Sequence, residues 1–347
     1  MRSPFAAAHG TTEERRGVIV QILDSDGRRG VGEASPLPSF FGGTHADVLA
    51  FLERYGASLL TDVSPLTGPG SMALRCALDV AALDLEAQQA GTSVAALLSP
   101  DALDRVPVNA VIGDGPPDEI AQIGVEATSR GYRVLKLKVG TGTLAEDLER
   151  VRALRAACPR ASIHLDANGA WDEATAIDAV IQLDPLGIGL IEQPVPAADV
   201  EALARVHARS TILLGADEAM ADPVSRERVL ALGAAYCVIL KPMVLGGLRP
   251  ALEIGRRATS QGMRAIVTTT FDSSIGTATS LALACALPHG PSHGLATGEH
   301  LAGDVVTHTL VPELGVMVRP AMPGLGVAVD EAALERVATA PWSERAL

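Results

Sequence analysis

The sequence predicts an α/β fold: a (β/α)8 barrel carrying an α+β unit at its N-terminal side. Three observations predict it. From residue 106 onward, short apolar strands alternate with amphipathic stretches about every 25 residues, eight times over. The first hundred residues have a different texture, a hairpin followed by two helices. The segment from Val305 leaves the barrel period again.

Taken in order, Gly17–Leu23 and Gly30–Ala34 flank the turn at 24–27 and predict a β-hairpin. Residues 35–44 form a Pro- and Gly-rich loop whose aromatics, Phe40 and Phe41, are expected to be exposed. Helices follow at Ala46–Leu60 and Ser71–Ala90, the second with Ala73, Ala77, Val80, Ala81 and Leu85 at helical spacing. Barrel strands are expected at Val106–Ile112, Val134–Val139, Ser162–Ala167, Ile188–Gln193, Thr211–Ala216, Tyr236–Lys241, Ala265–Thr270 and Gly294–Thr297. A doubly wound nucleotide-binding sheet is the rival, but Gly113-Asp-Gly115 lacks the third glycine of a dinucleotide fingerprint and fits an ordinary βα turn. In the tail, Pro323-Gly-Leu-Gly326 precedes a short helix from Asp330 and is expected to fold back on the N-terminal unit.

Composition narrows the function. Lys and Arg total 28 against 41 Asp and Glu, a net charge of −13, with only ten aromatics among 347 residues. Such a chain is a poor partner for nucleic acid or an anionic membrane, and an anionic ligand needs local cations or a metal. Cys76, Cys158, Cys237 and Cys285 form no CxxC pair, which argues against a zinc ribbon or disulfide framework and fits a reducing cytoplasm. No signal-peptide core follows Met1, and runs such as Leu281–Leu287 are far shorter than the ~18–20 residues that span a bilayer. A cytoplasmic protein is expected.

Chemistry in a barrel gathers at the C-terminal strand ends. The second strand ends Leu135-Lys-Leu-Lys-Val139; alternation sends Leu135, Leu137 and Val139 to the outer helices and Lys136 and Lys138 into the mouth. Two buried ammonium groups side by side are costly without a function, although one lysine can snorkel to solvent. Asp166, Glu192 and Asp217 end the next three strands, at intervals of 28, 26 and 25 residues, so they meet at one level. Three converging carboxylates call for a cation, and an all-oxygen donor set suits Mg²⁺, with Mn²⁺ as a substitute, better than zinc. Glu218 competes for the third place, but it faces the other way from Asp217. Lys241 ends the sixth strand and enters from across the barrel, as a catalytic group or as a partner for the carboxylates. His164 lies on the inward face below Asp166 and fits a satisfied core histidine.

Lys136-x-Lys138, Asp166-Ala-Asn, Glu192-Gln-Pro, Asp217-Glu and Lys241-Pro together resemble the enolase superfamily, in its muconate-lactonizing subgroup. The resemblance runs over essentially the whole chain. It implies a capping domain (1–104) over a modified barrel (105–304), a C-terminal segment (305–347) returning to the cap, and the loops 4–12 and 36–44 closing over substrate. One departure is a first strand ahead of Pro4 that is missing or very short, as expected if the chain starts late.

The implied chemistry is removal of the proton α to a carboxylate of a small substrate, giving an enediolate; the superfamily is the standard case of a Lys base working with Mg²⁺. Lys138 is then the base, its pKa lowered by Lys136 and the metal, and Lys241 a second acid/base or a fixed cation. The stretch 267–276, with Lys241–Gly247 and Gly294–Gly298, is most similar to o-succinylbenzoate synthases, dehydratases of menaquinone synthesis. Ser273, Ser274 and Gly298 can then donate to a substrate carboxylate, although a serine there serves equally as a helix cap. Dipeptide epimerases carry Asp-x-Asp at the eighth strand; here the place reads Thr297-Gly-Glu-His300, with Glu299 as a substitute. N-succinylamino-acid racemase and muconate cycloisomerase stay open. A metal-independent glycosidase barrel leaves the lysines unexplained, and a non-catalytic binding barrel has no need of them. A homo-oligomer is possible.

Overall fold

The computed structural model describes all residues except 8, 9, 41, 289–291, 342 and 344–347. Phe41 and parts of both expected substrate loops therefore lie outside the described residues. The chain opens with a short pair, β1 (Phe5–Ala7) and β2 (Gly10–Thr12), and then the predicted hairpin, β3 (Val18–Leu23) and β4 (Arg29–Ala34). The hairpin pairs from Val18↔Ala34 to Leu23↔Arg29. The helix expected at 46–60 divides into α1 (His45–Tyr55), started by a Thr44/Asp47 capping box, and a 3-10 turn at Gly56–Leu60. Helix α2 (Ser71–Gln89) lies flat on β4, because a Cβ at Gly30 or Gly32 would run into the carbonyl oxygens of Ala81 and Ala77.

After α3 (Val94–Leu98), the strand expected at 106–112 is two elements. β5 (Arg105–Pro107) pairs antiparallel with β13 (Val316–Val318) from the tail, and β6 (Ala110–Ile112) enters the barrel. The barrel sheet is parallel and runs in sequence order from β6 through β7 (Val134–Lys138), β8 (Ser162–Asp166), β9 (Ile188–Glu192), β10 (Leu213–Ala216), β11 (Cys237–Leu240) and β12 (Arg264–Val267). Helices α4 (Pro117–Ser129), α5 (Leu144–Ala157), α6 (Glu173–Leu183), α7 (Val200–His207), α8 (Pro223–Leu232), α10 (Leu248–Ser260) and α11 (Ser274–Ala286) alternate with these strands; α9 (Pro242–Leu245) is a single turn after β11.

The expected eighth strand is corrected. Only His293 and Gly294 pair, and the chain then turns into a 3-10 helix at Ala296–His300. These two residues still bridge both sheet edges: His293 donates to Pro107 O and accepts from Asn109 N, while Gly294 donates to Val267 O and accepts from Thr269 N. The next rung is a side chain, since Val267 N–H donates to His293 Nδ1 at 3.0 Å. Two residues and one imidazole stand in for a full strand, too short a run for periodicity to reveal how the barrel closes.

Buried Asp84 on α2 accepts from Val31 N (2.9 Å) and Leu325 N (2.7 Å), tying hairpin, helix and tail together, and α12 (Glu331–Val337) starts at an Asp330 cap. Phe40, expected at the surface, is buried. Among the described residues no helix is long and apolar enough to cross a membrane.

Candidate active site

Strand alternation places the charged groups as the period-2 pattern requires. Leu135, Leu137 and Val139 are fully buried in the main apolar core, and Lys136 and Lys138 project into the barrel. Lys136 Nζ donates to Glu192 Oε1 at 2.5 Å and lies 2.8 Å from Asp166 Oδ2; Lys138 Nζ donates to Asp166 Oδ2 (2.7 Å) and Asn168 Oδ1 (2.9 Å). Across the barrel, Lys241 pairs with Asp217, and its ammonium lies 4.1 Å from the centroid of the Phe40 ring. A loop of the N-terminal unit thus places a cation–π partner on the far lysine.

Asp166, Glu192 and Asp217 are all buried, and each offers an oxygen within 4.8 Å of the others. Three carboxylates at that spacing repel by about 3 kcal/mol per pair at an effective dielectric of ~20. Their protonation reflects it. Burial pushes Glu192 up to about 8, with Asp166 and Asp217 adding to the rise against the pull of Lys136. Burial also raises Asp217. Asp166 goes the other way: burial opposes ionisation, but Lys136 and Lys138 together hold it well below the carboxylate range. Lys136 is raised, because the three carboxylates outweigh the burial that favours its neutral form. It is a fixed cation. The donor set, three buried carboxylates without thiolate or imidazole, fits a hard divalent ion.

Gln193 and Asn168 set the geometry, and both have positive φ (+40° and +46°). Gln193 Oε1 accepts from Asp217 N (2.9 Å) and Ala219 N (3.2 Å), which fixes the turn bearing Asp217. Asn168 Nδ2 donates to Glu218 Oε1 at 2.8 Å, leaving its carbonyl for Lys138. Asp217, rather than Glu218, therefore completes the triad. Asn168 and Gln193 stand inside the sequence motifs quoted above, but only the fold shows what they hold. His164 sits opposite Lys136 in the β7–β8 register; burial and that cation push it down to about 4.

Ser273, Ser274 and Gly298, expected to bind substrate, have partners of their own. Ser273 Oγ donates to Glu33 Oε2 (2.5 Å), and Glu33 also accepts from Ser35 Oγ, Ser273 N and Gly276 N. Ser274 Oγ donates to Asp304 (2.6 Å). Both hydroxyls serve the start of α11, with carboxylates already on them. Gly298 lines a separate cavity of about 400 Å³ with Arg2, Arg130, Glu299 and Asp304. Glu299 pairs there with Arg130 and accepts from Tyr132 Oη at 3.0 Å; it does not join the lysines.

Two family models match the chain: the N-terminal domain of mandelate racemase / muconate lactonizing enzyme over residues 1–99, and the enolase C-terminal domain-like model over 120–333. Muconate cycloisomerase 1 of Acinetobacter baylyi is 29% identical, covering 96% of this chain and 95% of its own. The o-succinylbenzoate synthase of Thermobifida fusca is 38% identical over 248 residues, 70% of this chain and 74% of its own. In three dimensions, the substrate-liganded L-Ala-D/L-Glu epimerase of Bacillus subtilis superposes with a TM-score of 0.87 at 26% identity, over 94% of each chain.

Proposed function

The chain belongs to the enolase superfamily of enzymes, and we propose that it removes the proton α to a carboxylate of a small substrate with the help of Mg²⁺, in a dehydration that yields o-succinylbenzoate. The observation that carries this is the pair of lysines, Lys138 and Lys241, facing one buried acidic triad from the second and sixth barrel strands. Asp166, Glu192 and Asp217 would hold the ion, which supplies electrostatic stabilisation of the charge that develops on the substrate carboxylate.

Lys138 takes the α-proton. Its hydrogen bond to Asn168 and its contact with Asp166 fix the direction of Nζ. Lys136 stays charged and completes the neutralisation of Glu192 and Asp166. In a syn elimination Lys138 then returns the proton to the departing hydroxide: the C–H and C–O bonds break, a C=C bond forms and water leaves. Lys241 need only supply positive charge on the opposite face, a role that suits a cation held between Asp217 and Phe40. Two observations favour this reaction. The o-succinylbenzoate synthase relative is 38% identical, against 29% for the muconate cycloisomerase. Glu299, the acid that stands in the place of an epimerase's Asp-x-Asp, is already engaged by Arg130 and Tyr132.

Racemization of N-succinyl amino acids is the second reading, favoured by the placement of Lys241 for protonation from the other face. The assay that separates them uses purified protein with Mg²⁺. Formation of the aromatic product from the succinyl-hydroxycyclohexadiene carboxylate is expected. Rapid solvent deuterium exchange at the α-carbon of both enantiomers of an N-succinyl amino acid, without dehydration, overturns the dehydratase in favour of the racemase. A Mg²⁺-soaked crystal should show one ion touching Asp166, Glu192 and Asp217; density on other ligands removes the metal assignment.

A further inference from the structure

Helix α10 begins seven residues after Lys241, yet it has no acidic residue in its first turn and no side-chain cap of its own. Its N-terminal amides are met from the capping region instead. Asp79 Oδ2, on α2, accepts from Leu248 N at 2.8 Å and Arg249 N at 3.2 Å, and Asp79 Oδ1 takes the Arg249 guanidinium at 2.7 Å. Gly247, at φ +131°, makes the approach possible, since a Cβ there would lie 2.5 Å from Asp79 Oδ2. Between Lys241 and this cap the chain is a tight hook. Val244 N and Leu245 N donate to Lys241 O, and Gly247 N donates to Pro242 O. Met243 of the hook packs among Ala34, Val48, Leu59 and Leu74 of the N-terminal unit.

We propose that Asp79 is a positioning residue for Lys241: the N-terminal unit caps α10 across the domain boundary and thereby fixes where the far lysine stands over the substrate. This rests on the assignment of Lys241 to the substrate's second face. A helix terminus whose orphan amides donate to a carboxylate is held at one place relative to that carboxylate. Removing the carboxylate frees the hook to shift, and displacement of a reacting group by about 1 Å can lower a rate by ~10²-fold. The near lysines stand on β7, whose neighbours β6 and β8 are barrel strands, and do not depend on this tether.

The test compares wild type, Asp79→Ala, Asp79→Asn and Arg249→Ala by amide hydrogen exchange and by deuterium incorporation into the two enantiomers of an N-succinyl amino acid. Asp79→Ala is expected to speed exchange of the Leu248 and Arg249 amides, and of those in Val244–Gly247, about tenfold, leaving residues 134–138 unchanged. Incorporation into the enantiomer facing Lys241 should fall about tenfold relative to the other. Asp79→Asn, which keeps an acceptor, restores most of both; Arg249→Ala, which removes the ion pairs with Asp79 and Glu86 but keeps the backbone amides, changes neither by more than about twofold. If Asp79→Ala does not fold, Asp79→Ser, too short to reach the amides, makes the same comparison. Unaltered amide exchange, or enantiomer rates that fall together, overturns the proposal. A wild-type protein inert toward both enantiomers and the dehydration substrate defeats the function proposed above, while the amide comparison, which needs no substrate, still decides the tether.

Discussion

On one side of the mouth, Lys136 and Lys138 stand on a strand paired on both edges, and their ammonium groups meet carboxylates of the barrel itself. On the other side, Lys241 ends a strand whose continuation packs into the N-terminal unit, and its ammonium lies against Phe40 from that unit. The near half is set by sheet register, which a one-residue slip would invert and which is therefore strongly specified. The far half is set by docking between two folding units. Chemistry that uses only the near lysine inherits the rigidity of the sheet; chemistry that uses both requires the docking to be right.

The comparison breaks first at Lys138. Lys138→Ala should lower turnover by ~10²–10⁴ or more while Mg²⁺ binding, followed by calorimetry, is retained; a variant keeping a tenth of wild-type activity would show that the near half does not hold the base. Next comes the seam between the halves, where His293 joins β12 to the chain ahead of β6. Burial holds this imidazole down at about 4, against 6.5 unfolded. The neutral ring accepts from Val267 N, so its contribution is complete above pH 6.5 and is lost as pH falls toward 4, by about 3 kcal/mol in all. Thermal melting across that window should therefore fall more steeply in wild type than in His293→Asn, whose amide oxygen cannot be protonated there. Parallel profiles would remove His293 from the account. On the far half, Lys241→Arg keeps the charge but not the proton. It should cut deuterium exchange on that face more than ~10²-fold while dehydration persists within about tenfold; equal losses would mean that Lys241 ionises in both reactions. Smallest is Phe40→Leu, which removes a cation–π contact of about 0.5–2 kcal/mol and should raise KM or lower kcat by roughly 2–30-fold. No effect would place Phe40 outside the site.

Legibility in the sequence follows the same division. Lys136, Lys138, Asp166, Glu192 and Asp217 could be assigned to one level because strand alternation and a near-constant repeat convert position directly into direction. The strand expected at 294–297 was too long, because only residues 293–294 pair there and an imidazole supplies the next rung. Ser273 and Ser274 stay ambiguous in the sequence because a serine at a helix start has the same signature whether it meets a substrate or a carboxylate; Glu33, the partner of Ser273, lies 240 residues away. Phe40 has the local signature of a loop aromatic, and only the fold brings Lys241 beneath it. Long-range docking leaves no local period.

Glu33 also has a consequence for the order in which the chain can mature. It emerges from the ribosome early, on a hairpin that is sealed against α2, where Ser35 reaches it at once, yet its remaining donors come from Ser273 and Gly276. At ~5–20 residues per second, about 10–50 s of synthesis separate the carboxylate from those donors. For most of that interval, until residue 243 is made, the apolar face formed by Ala34, Leu74 and Leu78 also lacks Met243 and stays half-finished.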